Sequence, residues 1–394
     1  MSELLLVGGR PWGHTGTADI HVSDGVIVGI GAGTGSPAAE RMDVTGKLVL
    51  PGLVDAHTHL DKTLYGREWV PHSAGDTLGD RIGNERRRRG ALGLPDVDAM
   101  TALLETMVVN GTTHVRTHTD IDPEVGTTHV DAVREAVGRL DGRVDVTQVA
   151  FPQHGLLTNP GTADLLEQAL SRGVEAIGGI DPAGVDGDPV RHLDIVFGLA
   201  GRYGAFVDIH LHDGGTLGAW ELGLIAERIA ATGVGGRVAV SHAYALGQVD
   251  AAHQARLADR LAAAGVTITT AAVYDFPVPP VRMLTEAGVN VATGHDGIRD
   301  LWGPYGTGDM LDRAHHVAYR SLFRRDDDIE LALRAATHGG AAALGLTGYG
   351  LAEGAAADLV VVDAATPAAA VVTRPPRDLV LKAGRVVARA GTLT

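Results

Sequence analysis

Residues 48–62 read Leu-Val-Leu-Pro-Gly-Leu-Val-Asp-Ala-His-Thr-His-Leu-Asp-Lys: a mostly apolar run followed by two histidines one residue apart, His57 and His59. Apolar residues in series predict a buried strand. In a strand, residues i and i+2 project to the same side, so the two imidazoles face one point at its end. Two neutral imidazole nitrogens aimed at one point suit a divalent cation, which accepts histidine nitrogen at about 2.0–2.1 Å.

Seven further short β-rich runs follow, at 113–118, 144–151, 174–180, 205–210, 237–242, 266–272 and 289–296. Between them lie Ala/Leu-rich segments of helical period, several closed by glycine. With the first run this makes eight strand–helix units, the size of a (β/α)8 TIM barrel, whose chemistry sits at the C-terminal strand ends. His57, His118, His210, His242 and His295 all fall at or beside such ends. His210 and Asp296 would complete a three-histidine, one-aspartate metal set with His57 and His59, leaving a position for water. His242, ending the sixth strand, is placed to reach either the metal or a bound substrate. Residues 1–50 and 351–394 read as short strands with turns, and are expected to pair as a small β-sandwich interrupted by the barrel at 51–350.

The 394 residues carry a formal net charge of -15, which excludes the basic stripe that nucleic acid requires. The one basic run, Arg86–Arg89, is expected to be a solvated helix face. No long apolar span predicts a membrane crossing. The first residues lack a secretory pattern, so a cytoplasmic enzyme is the expectation. With no cysteine, any metal must rest on histidine and carboxylate.

The ordered pattern HxH, H, H, HD on successive strands, opened by PGLVDAHTHLD, resembles the amidohydrolase superfamily over nearly the whole chain. FPQHG (151–155), SHAYALG (241–247) and GHDGIRDLWGPYGTGDM (294–310) look like its cytosine deaminase branch. DIHLHDGGTLG (208–218), HTHLDK and IRDLWGPYGTGDM are nearer still to the N-isopropylammelide isopropylaminohydrolases, which act on a triazine ring.

That resemblance implies a homo-oligomeric aminohydrolase of a small heterocyclic substrate, by metal-hydroxide attack on a ring carbon. The metal ligands would be His57, His59, His210 and Asp296, with Asp296 also the general base and His242 holding the attacked substituent or the water. Binuclear relatives need a lysine on the fourth strand, where VEAIGGIDP has none, so one ion per subunit is expected, Zn2+ or alternatively Fe2+. Gln153 matches a ring-recognising glutamine, Trp302 a pocket residue, and Lys62 a cation for an anionic ring oxygen.

Two departures stand out. The branch's proton-shuttling glutamate is replaced by Asp213, so His212 and Asp213 are expected to act as a pair. A second aspartate is replaced by Gly297, which would leave room for an N-alkyl group. Asp300 is expected to support loop backbone. Two other readings remain open: a cyclic amidohydrolase that cleaves a ring C–N bond, and a metal-binding ligand sensor without turnover.

Overall fold

The computed structural model describes residues 3–35 and 39–394. Eight strands, Leu53–Thr58, Thr112–Asp120, Asp145–Phe151, Ala176–Ile180, Phe206–Leu211, Val238–His242, Val266–Thr270 and Asn290–Thr293, pair with their neighbours in chain order. Every pairing is parallel. Among the described residues, one backbone bridge, Thr58 to Asp296, joins the last and first strands at the seam. There Asp296 N donates to His57 O (2.9 Å) and Thr58 Oγ1 to Asp296 O (3.1 Å). This is a TIM barrel with helices between its strands.

Side-chain alternation sorts the barrel into two environments. On the fifth strand Val207, Ile209 and Leu211 join the apolar layer under the helices. Asp208 and His210 alternate with them and meet partners from other strands inside: Arg116 and His118 of the second, Ser241 of the sixth. The helices are set by local signals. Asp188 and Asp250 cap two of them by accepting from Arg191 N and His253 N.

The expected continuous first strand is in fact two. Leu48–Pro51 belongs to a separate sheet built from both chain ends, where it pairs antiparallel with Leu359–Val362 and parallel with the strand Glu3–Pro11. The chain changes sheets at Gly52, whose N–H donates to Asp358 O (2.8 Å) before Leu53 N turns to Gly111 O (2.9 Å). A Cβ at Gly52 would stand 2.2 Å from Thr113 Oγ1, so only glycine passes here. Both halves of the run are fully buried, so apolar periodicity alone does not mark the break. The terminal strands enclose their own apolar core, with Leu6, Ile20 and Val49 against Leu359, Val361 and Leu381.

Strand eight also stops short of expectation, at Thr293, so His295 and Asp296 lie in the turn beyond it. The basic run is not wholly solvated: Arg89 is buried and paired with Asp122 at 2.7 Å. Among the described residues no helix is long and apolar enough to cross a membrane.

Candidate active site

At the C-terminal mouth of the barrel the Nε2 atoms of His57, His59 and His210 and the Oδ1 atom of Asp296 converge. His59 Nε2 lies 3.2 Å from His210 Nε2 and 3.3 Å from Asp296 Oδ1, and His57 Nε2 lies 3.6 Å from the same oxygen. A tetrahedron with bonds of about 2.0–2.1 Å has edges of roughly 3.3 Å. The three measured separations fall near that edge length. His118 also gathers with His57, His59 and His210, and His242 with His57, His210 and Asp296, each set within 4.8 Å. Burial holds His59, His210 and His242 well below the ordinary histidine range, so their rings are neutral and their lone pairs free.

The layer beneath orients these rings. Ser241 Oγ donates to Asp208 Oδ1 (2.8 Å), so the Nδ1–H of His57 donates to Ser241 Oγ (2.8 Å), leaving Nε2 as the acceptor that faces the cluster. Asp208 is fully buried, which opposes its charge, yet His118 (3.4 Å) and Arg116 (3.3 Å) keep it well below the usual carboxylate range. Three residues at strand ends hold left-handed backbone: Asp181 (φ 35°), His242 (69°) and Asp296 (63°). Such conformations cost about 1–3 kcal/mol each and collect where geometry is imposed.

His212 lines the cavity and stacks on His242 (4.3 Å between centroids), but its partner is Asp181, which accepts from Nδ1 at 2.7 Å. Burial opposes the charge of His212, and Asp181 more than offsets this, raising it above the ordinary histidine range. The expected His212–Asp213 pair does not form. Asp213 is absent from the cavity wall and turns outward to accept from Gly184 N (2.8 Å), beside the buried Glu221. Burial raises Glu221 to about 8.

On the opposite side, Lys62 touches Gln153 Oε1 and pairs with Asp120 (3.0 Å) and Glu85 (3.6 Å). Glu85 comes from the helix Leu78–Arg88 and also accepts from the Trp302 indole. Asp61, adjacent in sequence, is not Lys62's close partner: it binds His129 (2.7 Å) and Asp120 N (2.9 Å). Lys62, Gln153 and Trp302 do all line the cavity.

Gly297 lines the cavity, with the Asp300 carboxyl beside it. A Cβ there would lie 2.0 Å from Asp300 Oδ2, whose carboxyl already fills the space. Asp300 Oδ1 accepts from Trp302 N (2.8 Å) and Gly303 N (2.9 Å), and burial raises this acid to about 7. The cavity encloses about 660 Å³, with Tyr244, Tyr274, Phe276 and Tyr305 forming an aromatic wall. His118, Asp181, Glu85 and Asp208 are the site neighbours that motif reading leaves unassigned; only His118 carries a signal, its place at a strand end.

The sequence profile of the amidohydrolase family matches residues 95–388. Over 379 residues the chain is 32% identical to N-isopropylammelide isopropyl amidohydrolase of Pseudomonas sp. (strain ADP), an alignment covering 94% of this chain and 93% of that one. The crystal structure of N-isopropylammelide isopropylaminohydrolase from Burkholderia multivorans ATCC 17616 matches with a TM-score of 0.96 at 44% identity, over 100% of both chains. That of 5-methylcytosine deaminase from Klebsiella pneumoniae, liganded with 5-fluorocytosine, matches at 0.86 and 28% identity, over 98% of this chain and 97% of that one. With three quarters of its length under one family profile and full-length relatives on both measures, the chain belongs to the amidohydrolase family.

Proposed function

We propose that this protein is a metal-dependent aminohydrolase that removes ammonia or an alkylamine from a ring carbon of a small N-heterocycle, a pyrimidine or triazine. The observation that carries the reading is the convergence of His57, His59, His210 and Asp296, in which Asp296 Oδ1 lies 3.3 Å from His59 Nε2 and 3.6 Å from His57 Nε2, and His59 Nε2 lies 3.2 Å from His210 Nε2. They would hold one Zn2+, or alternatively Fe2+, and the fourth barrel strand, Ala176–Ile180, has no lysine to bridge a second ion. A divalent ion held there supplies Lewis acidity and lowers the pKa of water toward neutrality.

The chain's own groups do the rest. Asp296 takes the proton of the attacking water through its carboxylate and returns it to the leaving nitrogen. His242, buried with an unpartnered Nε2, holds the attacked carbon's substituent or the water. His212, fixed by Asp181 on Nδ1, presents Nε2 as proton donor to a ring nitrogen, the part expected of the His212–Asp213 pair. Gln153 orients the ring with its amide, and Lys62 fixes Gln153 by bonding its oxygen. The ring enters beside Trp302 and the aromatic wall. Support for the substrate class comes from the two heterocycle-acting relatives of known structure.

The test is turnover of aminated pyrimidines, pterins and N-alkylated triazines by metal-loaded protein, with amine release and ring integrity followed together. Amine release with the ring intact supports the reading. Ring opening favours a cyclic amidohydrolase, and no turnover at full metal content favours a ligand sensor.

A further inference from the structure

The cavity of this acidic chain is lined by cations as well as acids. A protein of net charge -15 lines its cavity with four full cations, Lys62, Arg81, Arg313 and Arg320, against the carboxylates of Asp76, Asp296 and Asp300. One of these acids belongs to the donor cluster.

Three of the four cations are already engaged or lie at the rim. Lys62 is neutralised by Asp120 and Glu85. Arg320 gives its guanidinium to the carbonyls of Val273 (3.4 Å) and Phe276 (2.8 Å). Arg81 sits half-buried over the Phe276 ring. Arg313 differs from all of them. It is 7% exposed, on the helix Met310–Arg320, and its side chain makes one hydrogen bond, Nη1 to Ala271 O (2.6 Å). Its Nε is buried without a partner. The acids nearest in sequence are taken elsewhere, Asp309 by Arg377 and Asp312 by Arg374 (3.7 Å), and Asp55 is held by His295 (2.6 Å). Among the described residues Arg313 forms no ion pair. A buried, half-satisfied guanidinium is costly to keep, and its planar fork of donors matches an oxyanion.

We infer that Arg313 is the charge partner of an oxyanion on the substrate, so that the heterocycle is bound as its anion with a deprotonated ring oxygen. This rests on the aminohydrolase reading for the ring, and it moves the cation expected at Lys62 to the other side of the cavity, between the ends of strands seven and eight. A ring so held is fixed at two points, by the Gln153 amide and by Arg313.

The test is equilibrium binding, so it is independent of turnover. Metal-loaded wild type, R313Q and R313K, checked for equal metal content and melting temperature, are titrated calorimetrically with cyanurate, an anionic ring, and with 2-pyrimidinone, a neutral one. R313Q is expected to weaken cyanurate roughly tenfold or more while changing 2-pyrimidinone less than about threefold, and R313K to recover part of the loss. Equal effects on both ligands, or none on cyanurate, overturn the assignment. Should R313Q fold poorly, the wild type alone decides: its affinity for cyanurate must rise as the free ligand deprotonates, and a flat or falling profile overturns the assignment. Anion binding without amine release would count against the aminohydrolase reading and leave Arg313 in place.

Discussion

The two sides of the cavity are built from the same residue types and end in opposite states. On the side of Lys62, charges close on one another: Lys62 with Asp120 and Glu85, Asp61 with His129, Arg89 with Asp122 and Glu124. On the side of His57, His242 and Arg313, polar atoms are buried and left open, among them His57 Nε2, His242 Nε2, His295 Nε2 and Arg313 Nε. Each open group costs free energy that a ligand recovers, whereas each closed pair serves the fold. Burial alone therefore does not separate scaffold from function, and neither does a single open atom, since Asp61 Oδ1 and His129 Nε2 on the Lys62 side are also buried without a hydrogen bond; what differs is whether a charged partner stands close by.

Perturbing the open side at its centre gives the largest expected effect. His59→Ala or Asp296→Ala should abolish stoichiometric metal and lower turnover on the order of a thousandfold or more, while the melting temperature of metal-stripped protein changes little. Elemental analysis with steady-state rates checks this; full activity without bound metal would break the comparison. Lys62→Met probes the closed side. It should destabilise by about 3–5 kcal/mol in denaturant titration, because Asp120 and Glu85 are left buried without their cation. A large KM change at unchanged stability would instead place Lys62 among the open groups.

A smaller effect is expected one layer down. Asp208→Asn should weaken metal affinity about 10–100-fold by chelator competition, since it loosens the Ser241–His57 chain without removing a donor. The smallest effect concerns Glu221, outside the cavity. Its proton is held in the fold up to about 8, against an ordinary 4.5, so the folded protein binds more protons than the unfolded chain between those values. Stability then falls as pH rises through that window and levels above it. Glu221→Gln removes this slope, and should gain about 1–2 kcal/mol over wild type at pH 8 but little near pH 4.5, read from melts across the range.

The barrel is legible in the sequence because its strands are buried on both faces and alternate with capped helices. The convergence of His57, His59, His210 and Asp296 is legible because one rule, chemistry at strand ends, applies to them all. What stays hidden is whatever depends on contacts between distant loops. Nothing near His212 announces Asp181, 31 residues away, and Asp213 is the tempting neighbour. Glu85 lies in a helix that reads as surface, yet it reaches the Trp302 indole. Gly297 gives no hint that the Asp300 carboxyl stands where its own side chain would go. Arg313 gives no signal at all, since an unpaired charge is a property of its surroundings.

The barrel's seam has a mechanical consequence. First and last strands are joined at the mouth by a backbone bridge between Thr58 and Asp296, and the carbonyl that receives Asp296 N belongs to His57. At Gly294 a Cβ would lie 2.4 Å from that same carbonyl, so the two edges already meet as tightly as backbone allows. The hoop is thus fastened, together with the His295–Asp55 contact (2.6 Å), by backbone of the residues proposed as metal donors, so fraying of the joint would also disperse those donors: heat inactivation should keep pace with the parting of this joint.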